Sequence, residues 1–330
     1  MKTKITLITS RLLYLLAFLT ISHMTIAQVD VWDGHTVAEP AGWATGNTTV
    51  NISSAAELAW VAQMVNNSKQ TGATASDKWF KDCTLTLTTD IDLAGHEWTP
   101  IGIGLASGYL SSINEKYFYG IFDGQDHTVS NLKITGEHRF AGLFGIIGKP
   151  SWPDGTGTVK NLHILNADLQ ITKPESLGQY EWYVGALAGT QGGMVERCSA
   201  TGKIVGGDKG YFGGLVGMNH GGYGGCSIIS NSYASVDVTG GNGSISPSTY
   251  YCYIGGLVGE NRTNSGGHPI IYNCYSTGNV KGGDYAYIGG FIGRCGAFDT
   301  QIEANDVHSC YSLGTVEGLS LIHISEPTRP

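Results

Sequence analysis

Charge is what this chain has least of. Charged residues make up 14% of 330, well under the usual quarter, so long charged helical faces and coiled coils are excluded. Proline is scarce, at 9 residues, while 41% of the chain is apolar. That combination excludes both a disordered tract and a collagen-like one. Basic residues number 19 against 27 acidic, a net charge of −8. A surface of that sign repels phosphate backbones and argues against a nucleic-acid partner. Long apolar runs are missing too. The longest, Leu12-Leu-Tyr-Leu-Leu-Ala-Phe-Leu-Thr-Ile21, is about half of what a bilayer-spanning helix needs, so no membrane-spanning segment is expected in the mature chain. What fills the space is glycine, 49 residues, roughly twice ordinary usage. Many short strands joined by tight turns fit that balance.

Both ends stand apart from the rest. Lys2, Lys4 and Arg11 precede the apolar run, and Thr25-Ile-Ala27 follows it. This is the pattern of a secretory signal peptide over residues 1–27, and it predicts export to the cell surface or beyond, with association to an outer membrane. At the other end, Leu319-Ser-Leu-Ile-His-Ile-Ser-Glu-Pro-Thr-Arg329 breaks the glycine-rich pattern. It reads as a translated sequencing adapter, so residues 319–330 are expected to be non-native and the natural sequence to continue past Gly318.

Between the ends the chain repeats itself. One segment recurs as Phe118-Tyr-Gly-Ile-Phe-Asp-Gly124, Phe140-Ala-Gly-Leu-Phe-Gly145 and Val184-Gly-Ala-Leu-Ala-Gly189, then as Phe212-Gly-Gly-Leu-Val-Gly217, Ile254-Gly-Gly-Leu-Val-Gly259 and Ile288-Gly-Gly-Phe-Ile-Gly293. A second segment follows each, with aligned columns. The first column, Val129, Val159, Val195, Ile229, Ile271 and Val307, is β-branched throughout. Three residues on stand Leu132, Leu162, Cys198, Ser232, Cys274 and Cys310, all small or apolar, and next to them Lys133, His163, Ser199, Tyr233, Tyr275 and Tyr311. Alternation of this kind marks strands with one face inward. A single pair cannot bury its own apolar face, so the repeats must stack into a continuous core. The fold class expected is all-β: a parallel, right-handed β-helix of six coils. Asn131, Asn161, Asn231 and Asn273 are expected to share one turn, with their amides bonded along the stack. Cys198, Cys274 and Cys310 are expected to act as compact inward fillers.

Upstream, Ser53-Ser-Ala-Ala-Glu-Leu-Ala-Trp-Val-Ala-Gln-Met-Val-Asn66 carries a helical pattern with a serine N-cap. A helix here suits the role of a lid on an otherwise open first coil. The chain therefore divides into a signal peptide (1–27), an N-terminal cap with a helix (28–70), a repeat solenoid (71–318) and the foreign tail (319–330).

Gly213-Gly-Leu-Val-Gly217 and Asn273-Cys-Tyr-Ser-Thr-Gly278 resemble the GLUG-motif repeats of exported bacterial proteins. The run from Ile52 through Asp90-Ile-Asp-Leu93, Trp98-Thr-Pro-Ile-Gly102 and Phe122-Asp-Gly-Gln-Asp-His-Thr-Val129 is similar to the N-terminal part of large surface proteins of Bacteroides-like bacteria. The resemblance implies an exported β-helical surface protein. Relatives of that kind resemble adhesins or the non-catalytic regions of immunoglobulin-A metallopeptidases.

Candidate chemistry is sparse. His96-Glu97-Trp-Thr-Pro100 opens like a zinc-protease motif, but Pro100 stands where the second histidine belongs and disfavours the helix. Gly221-Gly-Tyr-Gly-Gly225 lacks the lysine of a phosphate loop. Asp90, Asp92, Asp123, Asp126 and His127 form the one carboxylate group suited to acid–base work or calcium, with turn-capping as the competing role. Seven cysteines leave one disulfide worth testing, Cys226 with Cys252. No catalytic residue, metal or cofactor is expected.

The tyrosines carry the site prediction. Tyr233, Tyr275 and Tyr311 are expected to face outward on three successive coils, and Tyr117, Tyr183, Tyr211, Tyr253 and Tyr287 to form a second column, with Tyr211, Tyr253 and Tyr287 as further candidate ligand-binding residues. Such stripes suit the apolar faces of sugar rings. The expected function is that of an adhesin-like surface protein whose partners are host or microbial glycans or proteins. The alternatives are a polysaccharide-active β-helix enzyme and a passive stalk of a larger surface enzyme.

Overall fold

A computed structural model describes residues 29–44, 46–67, 80–104, 116–149, 157–173, 181–222, 225–244, 251–264, 266–297 and 305–318. The expected signal peptide and foreign tail lie outside the described residues. Every strand pairing among the described residues is parallel, and the strands fall into four sheets that run along one rod. The fold is the expected parallel β-helix.

The first sheet is a valine face of eight strands, from Thr49–Ile52 and Thr84–Leu87 through Ile121–Asp123 and Thr158–Lys160 to Asp306–His308. The second, an eleven-stranded tyrosine face, runs from Asp30–Val31 and Ile91–Asp92 to Tyr311–Ser312 and Val316–Gly318. Two five-stranded sheets complete the coil. One holds Tyr183–Gly185, Tyr211–Gly213 and Tyr253–Gly255, the other Ala188–Gln191, Val216–Gly222 and Val258–Asn264. A full coil thus visits four faces rather than two. Val159, Val195, Ile229 and Ile271 point inward with no solvent exposure, each such side chain contributing about 1.5–3 kcal/mol of burial.

The glycines explain the repeated Gly-Gly-Leu-Val-Gly. It forms a sharp bend between the two smaller sheets, whose backbones then lie against each other. A Cβ on Gly213 would sit 2.0 Å from the Val216 carbonyl oxygen, and one on Gly259 2.6 Å from that of Gly217. Only glycine permits that approach.

Register departs from the sequence alignment in the first coil. Thr158-Val159-Lys160 pairs with Ile121-Phe122-Asp123, not with Thr128-Val129-Ser130. The latter lies on the tyrosine face opposite His163-Ile164-Leu165. Val129 and Leu132 therefore leave their assigned columns, and Thr128 replaces Lys133 below His163. Lys133 pairs instead with Asp168. The first coil's counterpart of Gly-Leu-Phe-Gly145 is Pro100-Ile-Gly102, with Ile101 bridged to Phe144. The six expected coils are thus eight rungs on the valine face.

The expected helix spans Ala55–Asn67. Ser54 is its N-cap: its Oγ accepts from the Glu57 amide at 3.2 Å, while Glu57 reaches back to the Ser53 amide at 2.5 Å, a near relative of the capping box. Leu58, Val61 and Val65 are fully buried in the common core. Asn66 clamps the first-coil bend, donating to the Pro100 carbonyl and accepting from the Gly102 amide, both at 2.9 Å. The rungs at Asp30–Val31 and Thr49–Ile52 already belong to the solenoid sheets, so cap and solenoid share residues rather than meeting at residue 71.

Candidate functional site

The corner from the valine face to the tyrosine face is built from one three-residue unit, seen in Asn231-Ser232-Tyr233, Asn273-Cys274-Tyr275 and Ser309-Cys310-Tyr311. The first residue of each adopts φ of 51°, 54° and 56°, a left-handed turn that asparagine tolerates better than most. The second turns inward: Ser232 and Cys274 are buried and Cys310 half-buried. The third, by alternation, faces out.

Strand register then places the three rings in a stack. Tyr233 and Tyr275 lie 4.8 Å apart with planes 2° from parallel, and Tyr275 and Tyr311 lie 5.1 Å apart at 5°. Isolated aromatic rings avoid a face-to-face sandwich because their quadrupoles repel, so the backbone ladder imposes this arrangement. The rings cover part of one another's faces. Solvent meets a row of ring edges and phenol hydroxyls, one per rung, with Tyr311 the most open at 52%. Burial, followed by its two tyrosine neighbours, pushes the Tyr275 phenol up.

A second aromatic surface lies on the other side of the same corner, and sequence reasoning missed it. Tyr272 immediately precedes the Asn273 turn and pairs in register with His308. Their rings stack at 5.4 Å and 17°, with His308 exposed and Tyr272 half-buried. Between the two aromatic surfaces runs the exposed crest of the turn, where Asn273 Nδ2 donates to Asn231 Oδ1 at 3.2 Å. A Tyr–His column in the last two repeats was the only available signal.

The four asparagines all have positive φ, but they occupy two turns rather than one. Asn161, Asn231 and Asn273 belong to this corner, where Asn161 Oδ1 accepts from Arg197 Nε at 2.7 Å. Asn131 sits one turn further on, accepting at 2.6 Å from Asn166. The register shift in the first coil is the cause.

The second tyrosine column is not a surface stripe. Tyr211 is 3% and Tyr253 2% exposed, and only Tyr287 is half-buried. With Phe140, Tyr183 and Met218 they fill the crease beside the glycine bends as a separate apolar cluster. Phe140 stacks on Tyr183 at 5.3 Å and 14°, while the column tyrosines meet edge-on or tilted, at 5.0 Å and 77° for Tyr183–Tyr211 and 4.8 Å and 41° for Tyr211–Tyr253. Charged groups seal the crease. Arg262 Nη2 donates to the Tyr211 hydroxyl at 3.1 Å and forms an ion pair with Glu260 at 2.7 Å, and Arg294 also binds Glu260. Both guanidinium groups lie over tyrosine rings, Arg262 5.5 Å from Tyr211 and Arg294 5.3 Å from Tyr253. Burial is the largest single influence and opposes the charge on Arg262, but Glu260 together with Tyr211, Tyr183 and Glu181 outweighs it and holds the guanidinium protonated.

The carboxylates act as turn caps. Asp90 accepts from the Thr128 amide at 2.8 Å and meets His127 Nδ1 at 3.1 Å. Asp92 accepts from the Ala94 amide and from Asn131 Nδ2, both at 2.7 Å. Burial works to raise the Asp123 carboxyl, but hydrogen bonds from Asn161 and the Gln125 amide, with Lys160 alongside, keep it below the usual range. Asp126 stands 3.8 Å from His163. No group of three or more metal-binding side chains occurs among the described residues. Glu97 is in a strand bridge, 3.6 Å from Lys133, not on a zinc-binding helix. Cys226 is exposed and Cys252 buried, and both are free thiols. The bridge between them is not formed.

The GLUG motif matches residues 180–205 and 250–281, windows that contain the glycine bends of Leu187 and Leu257 and the Asn273 corner. A stretch of 134 residues, 40% of this chain, is 30% identical to halomucin of Haloquadratum walsbyi, and the match spans 1% of that protein's length. The fold is similar to that of a candidate immunoglobulin A1 protease from Bacteroides ovatus, solved by crystallography. The TM-score is 0.53 at 19% identity, covering 82% of this chain and 68% of that one.

Proposed function

We propose that this chain is an exported, surface-associated interaction protein whose GLUG solenoid presents an aromatic corner to extended glycans. The observation that carries the reading is the solvent-facing row of Tyr233, Tyr275 and Tyr311, held parallel at one ring per rung. Rings so arranged gain little from each other, yet offer hydroxyls, edges and one open ring at regular spacing. The Asn231–Asn273 crest adds amide donors and acceptors, and Tyr272 with His308 adds a second apolar wall. A glycan strand running along the rod would meet the same chemistry at each rung. The stretch shared with halomucin and the fold shared with a candidate immunoglobulin A1 protease support a surface setting.

A stalk role is the second reading, favoured by the carboxylates' engagement as turn caps at Asp90, Asp92 and Asp123. Retention of the purified protein on a panel of immobilised neutral and acidic polysaccharides separates the two. The adhesive reading predicts retention that is lost when Tyr233, Tyr275 and Tyr311 are all changed to Ser. A stalk predicts no retention at all.

A further inference from the structure

Asn273-Cys274-Tyr275 and Ser309-Cys310-Tyr311 are the same turn on successive rungs. Tyr275 pairs with Tyr311, and the Tyr311 amide donates to the Cys274 carbonyl at 3.2 Å. The two cysteines therefore hold equivalent places in the turns of adjacent rungs, about 4.8 Å apart like the strands they lead into, within the Cα span a disulfide bridges. Their side chains take the same pose. Cys274 Sγ lies 3.1 Å from the Tyr272 carbonyl and 3.7 Å from that of Ile229. Cys310 Sγ lies 3.1 Å from the His308 carbonyl and 3.8 Å from that of Ile271. Each thiol leans toward the preceding rung, which brings Cys310 Sγ toward Cys274.

The contact between the thiols has opposite effects on them. It pushes the buried Cys274 well above the ordinary thiol value and holds the more open Cys310 down, at about 7. The other cysteines in the same column and elsewhere face different partners: Cys198 abuts Ser232, Cys226 pairs with His268, and Cys295 meets Asn261.

We propose that Cys274 and Cys310 are a dithiol–disulfide pair, closed by exchange with a low-molecular-weight disulfide. The Cys310 thiolate attacks one sulfur of that disulfide and expels its other half as a thiolate, leaving a mixed disulfide on Cys310. Cys274 then gives its proton to the released thiolate and attacks the Cys310 sulfur, expelling the second half. Two protein thiols are oxidised and one external disulfide is reduced to two thiols. Closure turns Cys274 about its Cα–Cβ bond, draws the two Cβ atoms slightly together, and fastens the rungs that carry Tyr275 and Tyr311.

Oxidised glutathione serves as the probe on the folded full chain. After incubation, free thiols are alkylated and the protein is digested at Lys, Arg and Glu, which separates Cys295 from Cys310. The expected product is a Cys274–Cys310 linked peptide pair, with the intact protein lighter by about 2 Da and free of retained glutathione. The same treatment in guanidinium should scatter links among the cysteines, showing that the fold directs the pairing. Glutathione that stays on Cys310, links that favour other cysteines, or full alkylation of both residues would overturn the proposal.

Discussion

Arg262 Nη2 lies 3.1 Å from the hydroxyl of Tyr211, a residue on the preceding rung of a different sheet. That bond closes the crease between the two smaller sheets and decides which tyrosines solvent can reach. Its energetic anchor is Glu260, fully buried and flanked by Arg262 and Arg294.

Glu260→Ala removes the anion and strands a buried guanidinium. The expected cost is about 3–5 kcal/mol, read as a lower denaturation midpoint in urea. Glu260→Gln should cost less, since it keeps a hydrogen-bond acceptor. Equal stability of Glu260→Ala and the parent would mean that the crease opens to water in solution.

Stability should fall in acid through His220. Burial, reinforced by Arg262, lowers its imidazole from 6.5 to about 3. The folded protein therefore keeps His220 neutral while the unfolded chain takes up a proton below 6.5. The stabilisation is complete above pH 6.5 and is lost as pH falls toward 3, by at most about 1.4 kcal/mol per pH unit. Urea titrations at pH 7 and pH 4 should show a smaller loss for His220→Leu than for the parent. Parallel losses in the two proteins would contradict this.

Gly255→Ala places a methyl 2.0 Å from the Val258 carbonyl oxygen and 2.7 Å from the Gly293 amide nitrogen. Backbone on both sides leaves nowhere to move, so the expected cost exceeds about 2 kcal/mol. Gly266, with φ of 80° and open space around it, should cost about 1–2 kcal/mol as alanine, from conformation alone. Thermal midpoints of the two variants rank these effects.

Asn273→Val forces a β-branched residue to φ of 54° and should cost about 1–3 kcal/mol, whereas Asn273→Gly should be close to neutral. If valine is tolerated as well as glycine, the corner is not held in the left-handed region.

The parallel solenoid was legible because its columns are chemically uniform: Val159, Val195, Ile229 and Ile271 can share only a buried face. The first coil was misread because Thr128-Val-Ser-Asn131 and Thr158-Val-Lys-Asn161 look alike while serving different turns. Strand pairing, not similarity, decides that register, and Gly124 with Asp123 already fills the turn opposite Asn161. Tyr211 and Tyr233 could not be told apart by alternation, since both flank inward residues. What separates them is the glycine bend that folds one sheet against the next and seals Tyr211 beneath Arg262. Tyr272 and His308 were missed because one column held two unlike residue types.

The central claim is that the outward tyrosine row, and not the sealed column, meets glycan. The most direct measurement is a binding titration of the parent, a triple Phe variant and a triple Ser variant at positions 233, 275 and 311, each checked for an unchanged thermal midpoint, against whichever polysaccharide the parent retains. The account predicts binding weakened by the loss of the hydroxyls in the Phe variant and abolished in the Ser variant. Undiminished binding by a folded Ser variant would contradict it.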